Sequence, residues 1–124
     1  MNSKVTMVLR IVLGLILIIF GANKFVGFMP MPELPEAAGN FMTALFVVGY
    51  MFPLIGAIEL IVGLLLVFNK WVPFVLLLLA PISVNIILFH LALAPAGIGA
   101  GAVVALLNVA LIYAYWDKYK PLFE

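Results

Sequence analysis

Residues 71–89 read WVPFVLLLLAPISVNIILF and carry no charged side chain. At 1.5 Å rise per residue, a helix of this length nearly matches the roughly 20 apolar residues needed to cross a bilayer. Working outward, residues 11–23, 37–58, 60–69 and 91–116 are also uncharged, with Glu59 alone between the second and third of these runs. Val5 to Arg10 extends the first run to spanning length. The pattern predicts membrane helices near 4–26, 52–69, 71–91 and 98–116.

Composition requires the same environment. Of 124 residues, 68% are hydrophobic and 9% charged, and the mean hydropathy is +1.36. Soluble domains carry about 25% charged residues, so lipid rather than water is the expected solvent. The expectation is one transmembrane domain over residues 1–124, with no soluble domain attached. A net charge of +1 supplies no basic face for nucleic acid. The absence of cysteine excludes disulfides, thiolate nucleophiles and iron–sulfur ligation on this chain.

The segment between the first two spans differs in kind. Pro30, Pro32 and Pro35 alternate with Glu33 and Glu36, which is extended loop chemistry at a water interface. Ala37 to Val48 then looks helical but is bounded by Gly49 and Pro53. Added to the second span it would overshoot the bilayer, so it is expected to lie at, or dip into, the interface. The first helix has the positive flank of a signal peptide, but its apolar run lacks a small-residue cleavage site before Lys24, and it reads as a retained span. Four spans place Lys4, Arg10, Lys70, Lys118 and Lys120 on one side and Lys24 on the other. The positive-inside rule then predicts a multi-pass protein of the cell inner membrane with both termini cytoplasmic. Trp71, Tyr113, Tyr115, Trp116 and Tyr119 are expected to form an aromatic belt on the inner face. The similarity of GLILIIFGANKF (14–25) to GLLLVFNKW (63–71) is read as a shared helix-end signal, because the remainder of the two segments does not align.

Ionisable side chains within spans are the informative ones, since an Arg, Lys or Asp at a helix centre costs about 2.5–3.5 kcal/mol on insertion scales. Counted along the helices, Glu59 lies about 15 Å deep, Arg10 about 9 Å in from Lys4, and Asn108 about 12 Å in from Trp116. This predicts an inner polar layer of Arg10, Glu59 and Asn108, with Arg10 able to reach Glu59. An outer layer would hold Lys24, Asn85 and His90. Small residues share the faces of these polar groups: Gly14 and Gly21 with Arg10 and Lys24, Gly49, Gly56 and Gly63 with Glu59, and Gly101 and Ala105 with Asn108. Membrane helices approach closely where residues are small, so the polar groups are expected to point inward.

Binding or proton relay is therefore assigned to Arg10, Lys24, Glu59, Asn85, His90 and Asn108. Each also has a plain structural reading: snorkelling for Arg10, interface anchoring for Lys24 and His90, and interhelical hydrogen bonds for Glu59, Asn85 and Asn108. A single histidine excludes bis-histidine haem ligation, and no carboxylate cluster makes a metal site. Neither Ser3 nor Ser83 has the makings of a triad, so no catalytic residue is assigned. The chemistry that remains is binding of a lipid-soluble or small polar molecule, with Glu59 or His90 exchanging a proton. A quinone headgroup has matching needs.

At these residues the chain resembles the DoxX-like family of small membrane proteins. The resemblance runs through RIVLGLILIIFGANKF (10–25), PLIGAIELIVGLLLVF (53–68) and LAPISVNIILFHLALAP (79–95). It implies an all-α fold: an integral membrane four-helix bundle, here with a short interfacial helix between the first and second spans. The family takes its name from a subunit of a thiosulfate:quinone oxidoreductase, which implies a link to membrane redox systems. The missing cysteines argue against sulfur chemistry on this chain.

Three functional readings remain open at this point. One is a small auxiliary or quinone-interacting subunit of a membrane redox system. Another is a structural or assembly partner of a larger membrane complex, and the last a proton-coupled small-solute transporter. Partners beyond the bilayer would be a quinone or other lipophilic ligand, a larger complex or further copies of the chain, and not nucleic acid.

Overall fold

The computed structural model describes residues 2–27 and 33–124; Pro30 and Pro32 of the expected loop lie outside them. Helix α1, Ser3–Val26, starts where the Asn2 side chain accepts a hydrogen bond from Lys4 N at 2.8 Å. It stops at Gly27, whose φ of 68° returns the cap N–H to Asn23 O. Helix α2, Glu36–Val48, has Glu36 in its first turn, where a carboxylate complements the helix dipole. It ends at Gly49, whose φ of 88° suits glycine far better than a residue with a Cβ. Helix α3, Met51–Val67, follows at 89° to α2.

Helix α4, Val72–Leu93, follows a tight turn in which Asn69 (φ 58°) and Trp71 (φ 53°) are both left-handed. A 3₁₀ turn, Pro95–Gly97, leads into α5, Ile98–Ala114, and the short α6, Trp116–Tyr119, closes the chain with a last 3₁₀ turn. The described residues contain no β-strand. The fold is all-α, as expected. Among them α1, α4 and the stretch Pro95–Ala114 are each long and apolar enough to cross a membrane, and the bent α2–α3 pair makes a fourth candidate.

The long helices close a ring. Helix α1 packs most extensively on α3, α3 on α4, α4 on α5, and α5 back on α1. Leu13, Leu17, Val62, Leu66, Val75, Leu76, Leu79, Val104 and Leu111 fill the centre. Outside, Leu15, Ile19, Ile61, Leu77, Val84, Leu106 and Val109 are exposed, which in water would be costly and in lipid is the natural surface. Helix α2 packs against α3 and α4 at one end of the ring, with Phe46 against Phe52 and Phe41 against Phe89 at centroid distances of 4.3 and 5.5 Å.

Glycines set the α1–α3 register. A Cβ on Gly63 would stand 2.7 Å from Gly14 O, and one on Gly14 would stand 2.8 Å from Gly63 O. A turn or two further along, a Cβ on Gly21 would lie 2.9 Å from Gly56 O. Lipid supplies no hydrophobic drive between helices, so such close backbone approach is a main source of attraction. Gly49 does not share this face. It caps α2, and a Cβ there would meet nothing within 4 Å.

The aromatics expected to form a belt also divide. Trp71 and Tyr113 are exposed, as an aromatic belt requires. Tyr119 is buried instead, and its hydroxyl donates to Pro73 O at 2.6 Å, tying the chain's last turns to the start of α4.

Candidate functional site

The polar side chains do not form the two layers expected from depth alone. Glu59, in the middle of α3 and 2% exposed, pairs with Lys24 rather than Arg10: Lys24 Nζ lies 2.6 Å from Glu59 Oε1. The α1–α3 register explains the exchange. The Lys24 stem lies over Gly56, one helical turn from Glu59 on α3, so the ammonium reaches along the helix to the carboxylate. Arg10 stands opposite the far end of α3, about two turns beyond Glu59.

Arg10 has its own partners there. Its Nη1 donates to Leu66 O and, at 3.2 Å, to Val67 O. These carbonyls end α3, where Leu66 O also accepts from Asn69 N at 3.3 Å, and the guanidinium supplements that turn and answers the negative end of the helix dipole. Arg10 is only 7% exposed, which makes it a buried cap rather than a side chain reaching out to headgroups. It borders a cavity of about 390 Å³ together with Ser3, Thr6, Asn69 and Tyr115.

The remaining candidates are spread over α4 and α5. Asn108 is buried and donates to Leu76 O at 3.1 Å, joining α5 to α4. Asn85 is exposed on α4 and donates to Pro81 O at 2.8 Å, one turn back on its own helix. His90 is half-buried where α4 ends. Its Nδ1 stands 3.2 Å from Ala94 O, while Ala94 N–H donates to His90 O, so the two residues close the last turn from both sides. The imidazole lies against Gly97 and Gly101, where a Cβ would meet His90 ring atoms at 3.5 and 3.2 Å. Arg10, Glu59 and His90 thus occupy three places, and no hydrogen bond or ion pair joins them among the described residues. No group of three or more His, Asp or Glu suited to a metal ion occurs among the described residues.

Ser83, set aside in the sequence for want of a triad, is the residue the structure brings forward. It sits near the middle of α4, 5% exposed, and its Oγ has no hydrogen-bond partner. Buried hydroxyls are nearly always satisfied, and a serine within a helix can usually bond the carbonyl one turn back. Here the residue lines a groove of about 240 Å³ between α4 and α5, whose walls include Ala80, Ile87, Ala105 and Ile112, while the Oγ itself is covered. Val84, Leu88 and Val109 form a rim on the lipid-facing surface. Asn108 lines the same groove. Searching serines for a nucleophile's neighbours could not find this one. Its signal is a hydroxyl at mid-span with no acceptor of its own.

Residues 5–92, which cover α1 to α4, match the family model described as DoxX. No curated protein and no solved structure matches the chain.

Proposed function

The chain belongs to the DoxX family, and from that premise we propose that it is a small auxiliary protein of a membrane redox system that holds a quinone headgroup between α4 and α5. One observation supports the reading: Ser83, whose buried hydroxyl has no partner, is among the residues lining an apolar, lipid-facing groove at mid-span. A ligand that reaches this depth travels through hydrocarbon, so it is lipophilic. To satisfy the hydroxyl it must present an acceptor, and a ring carbonyl flanked by apolar surface does so. The buried Arg10 and Glu59 and the half-buried His90 then hold the bundle around the groove rather than touching the ligand. The bends at Gly49 and at Asn69–Trp71 gather residues 2–10, 66–73 and 115–124 at one end. The basic residues of that end favour a cytoplasmic face, with both termini inside the cell inner membrane.

The test is quinone retention in nanodiscs loaded with a defined ubiquinone, wild type against Ser83→Ala. One hydrogen bond of about 1 kcal/mol predicts roughly fivefold weaker binding in the variant. Equal retention by both proteins, or none by wild type, removes the proposal. A second reading, an assembly partner within a larger membrane complex, is favoured by a separate observation: Arg10, Asn85, Asn108 and Tyr119 all spend donors on the chain's own carbonyls. It predicts a defined protein partner on native purification and no ligand in the groove.

A further inference from the structure

The cavity beside Arg10 has no part in the quinone reading, and its lining is of a different kind. Ser3, Thr6, Asn69, Tyr115 and the buried Arg10 line it together with Met7 and Ala114, and none of the lining residues is a carboxylate. It is an open depression of about 390 Å³, wide enough for a headgroup-sized anion. Nearby acidic charge is already engaged: Asp117, on α6, pairs with Lys120 at 3.2 Å and is exposed.

The guanidinium is only partly used. Nη1 serves Leu66 O and Val67 O, whereas Nε and Nη2 make no hydrogen bond to protein among the described residues. Those two nitrogens form the side-on edge of the guanidinium, whose parallel N–H bonds match two oxygens of a phosphate. Thr6 Oγ1 donates to Asn2 O and so is fixed in place at the first turn of α1. That turn adds the positive end of the α1 dipole to the Arg10 charge.

The geometry points to a binding site for a phosphate group in this cavity, held by Arg10 with Tyr115 and the first turn of α1. The phosphate comes either from the headgroup of an anionic phospholipid or from free inorganic phosphate, because the recognising chemistry is shared. The lipid source places one phospholipid per chain at a fixed position on the bundle. The free source makes the cavity an anion site reached from water.

The experiment uses the full chain purified in a maltoside detergent and read by thermal unfolding. It is titrated separately with inorganic phosphate, with short-chain phosphatidylglycerol and with sodium chloride at matched ionic strength. Stabilisation by phosphatidylglycerol alone assigns a headgroup, and stabilisation by inorganic phosphate as well assigns a free anion. An equal response to chloride, or no response to either phosphate, overturns the site. Arg10→Gln should abolish the ligand response. Because Arg10 also caps α3, Tyr115→Phe is the second variant: it leaves the cap intact and should weaken the response roughly threefold to tenfold. If both variants stay folded and respond like wild type, the site is wrong.

Discussion

Lys24 Nζ and Glu59 Oε1 lie 2.6 Å apart, and the two side chains differ in access to water, 22% against 2% exposed. That asymmetry determines what each deletion does. Removing Lys24 leaves a carboxylate with nowhere to turn, whereas removing the Glu59 charge leaves an ammonium that still reaches the interface. Lys24→Met is expected to cost about 3 kcal/mol, the low end for a buried pair broken on one side, and Glu59→Gln less. The double variant should be more stable than Lys24→Met alone. Denaturant titration in mixed micelles measures all three, and strict additivity would show that the contact carries no coupling.

Arg10 closes α3 through Leu66 O and Val67 O. Hydrogen bonds to charged groups contribute about 1.5–3 kcal/mol, so Arg10→Gln should lower stability by that order. The damage should be local. Amide exchange ought to speed up at residues 66–70 while the centre of α4 stays protected, and uniform protection throughout would contradict the cap.

The glycines separate into two kinds. Gly63→Ala drives a methyl to 2.7 Å from Gly14 O, a backbone atom that moves only if α1 moves, and a loss of about 1–3 kcal/mol is expected. Gly39→Ala in α2 meets nothing within 4 Å and should gain up to about 1 kcal/mol through helix propensity. Thermal melts of the two variants should shift in opposite directions.

Tyr119 supplies a dependence on pH. Burial raises its phenol from 10.0 to about 12, with Tyr115 adding to the rise. The folded chain holds this proton more tightly than the unfolded one. The stabilisation is therefore complete below pH 10 and is lost as pH climbs from there through about 12. Tyr119→Phe should be less stable at neutral pH, through loss of the bond to Pro73 O, and should lack this part of the alkaline decline. Matched alkaline melts of the two proteins test it.

Much of the fold could be read because lipid permits so little. An uncharged run of spanning length has few alternatives to a helix, and a proline-bounded stretch such as Ala37 to Val48 has few places to lie. The site was harder. Counting residues gives the depth of Glu59 but not the direction in which a neighbour approaches, and the Lys24 pairing depends on the stem crossing Gly56. Asn85 looked like an inward donor and instead serves Pro81 O on an exposed face. Tyr119 carried the composition of a belt residue, yet the final turns fold it under α4. Ser83 became visible only once the absence of any acceptor around it could be measured.

The partners of α1 are all made later than α1. Arg10 waits for Leu66 and Val67, and Lys24 waits for Glu59. A ribosome delivering this chain therefore makes α1, with an unanswered cation toward each end, before its partners exist. It stays provisional through the synthesis of α2 and completes its charges when α3 arrives antiparallel beside it. The charges of α1 thus depend on α3 and on no later helix, so α1 and α3 can complete each other before α4 and α5 are present.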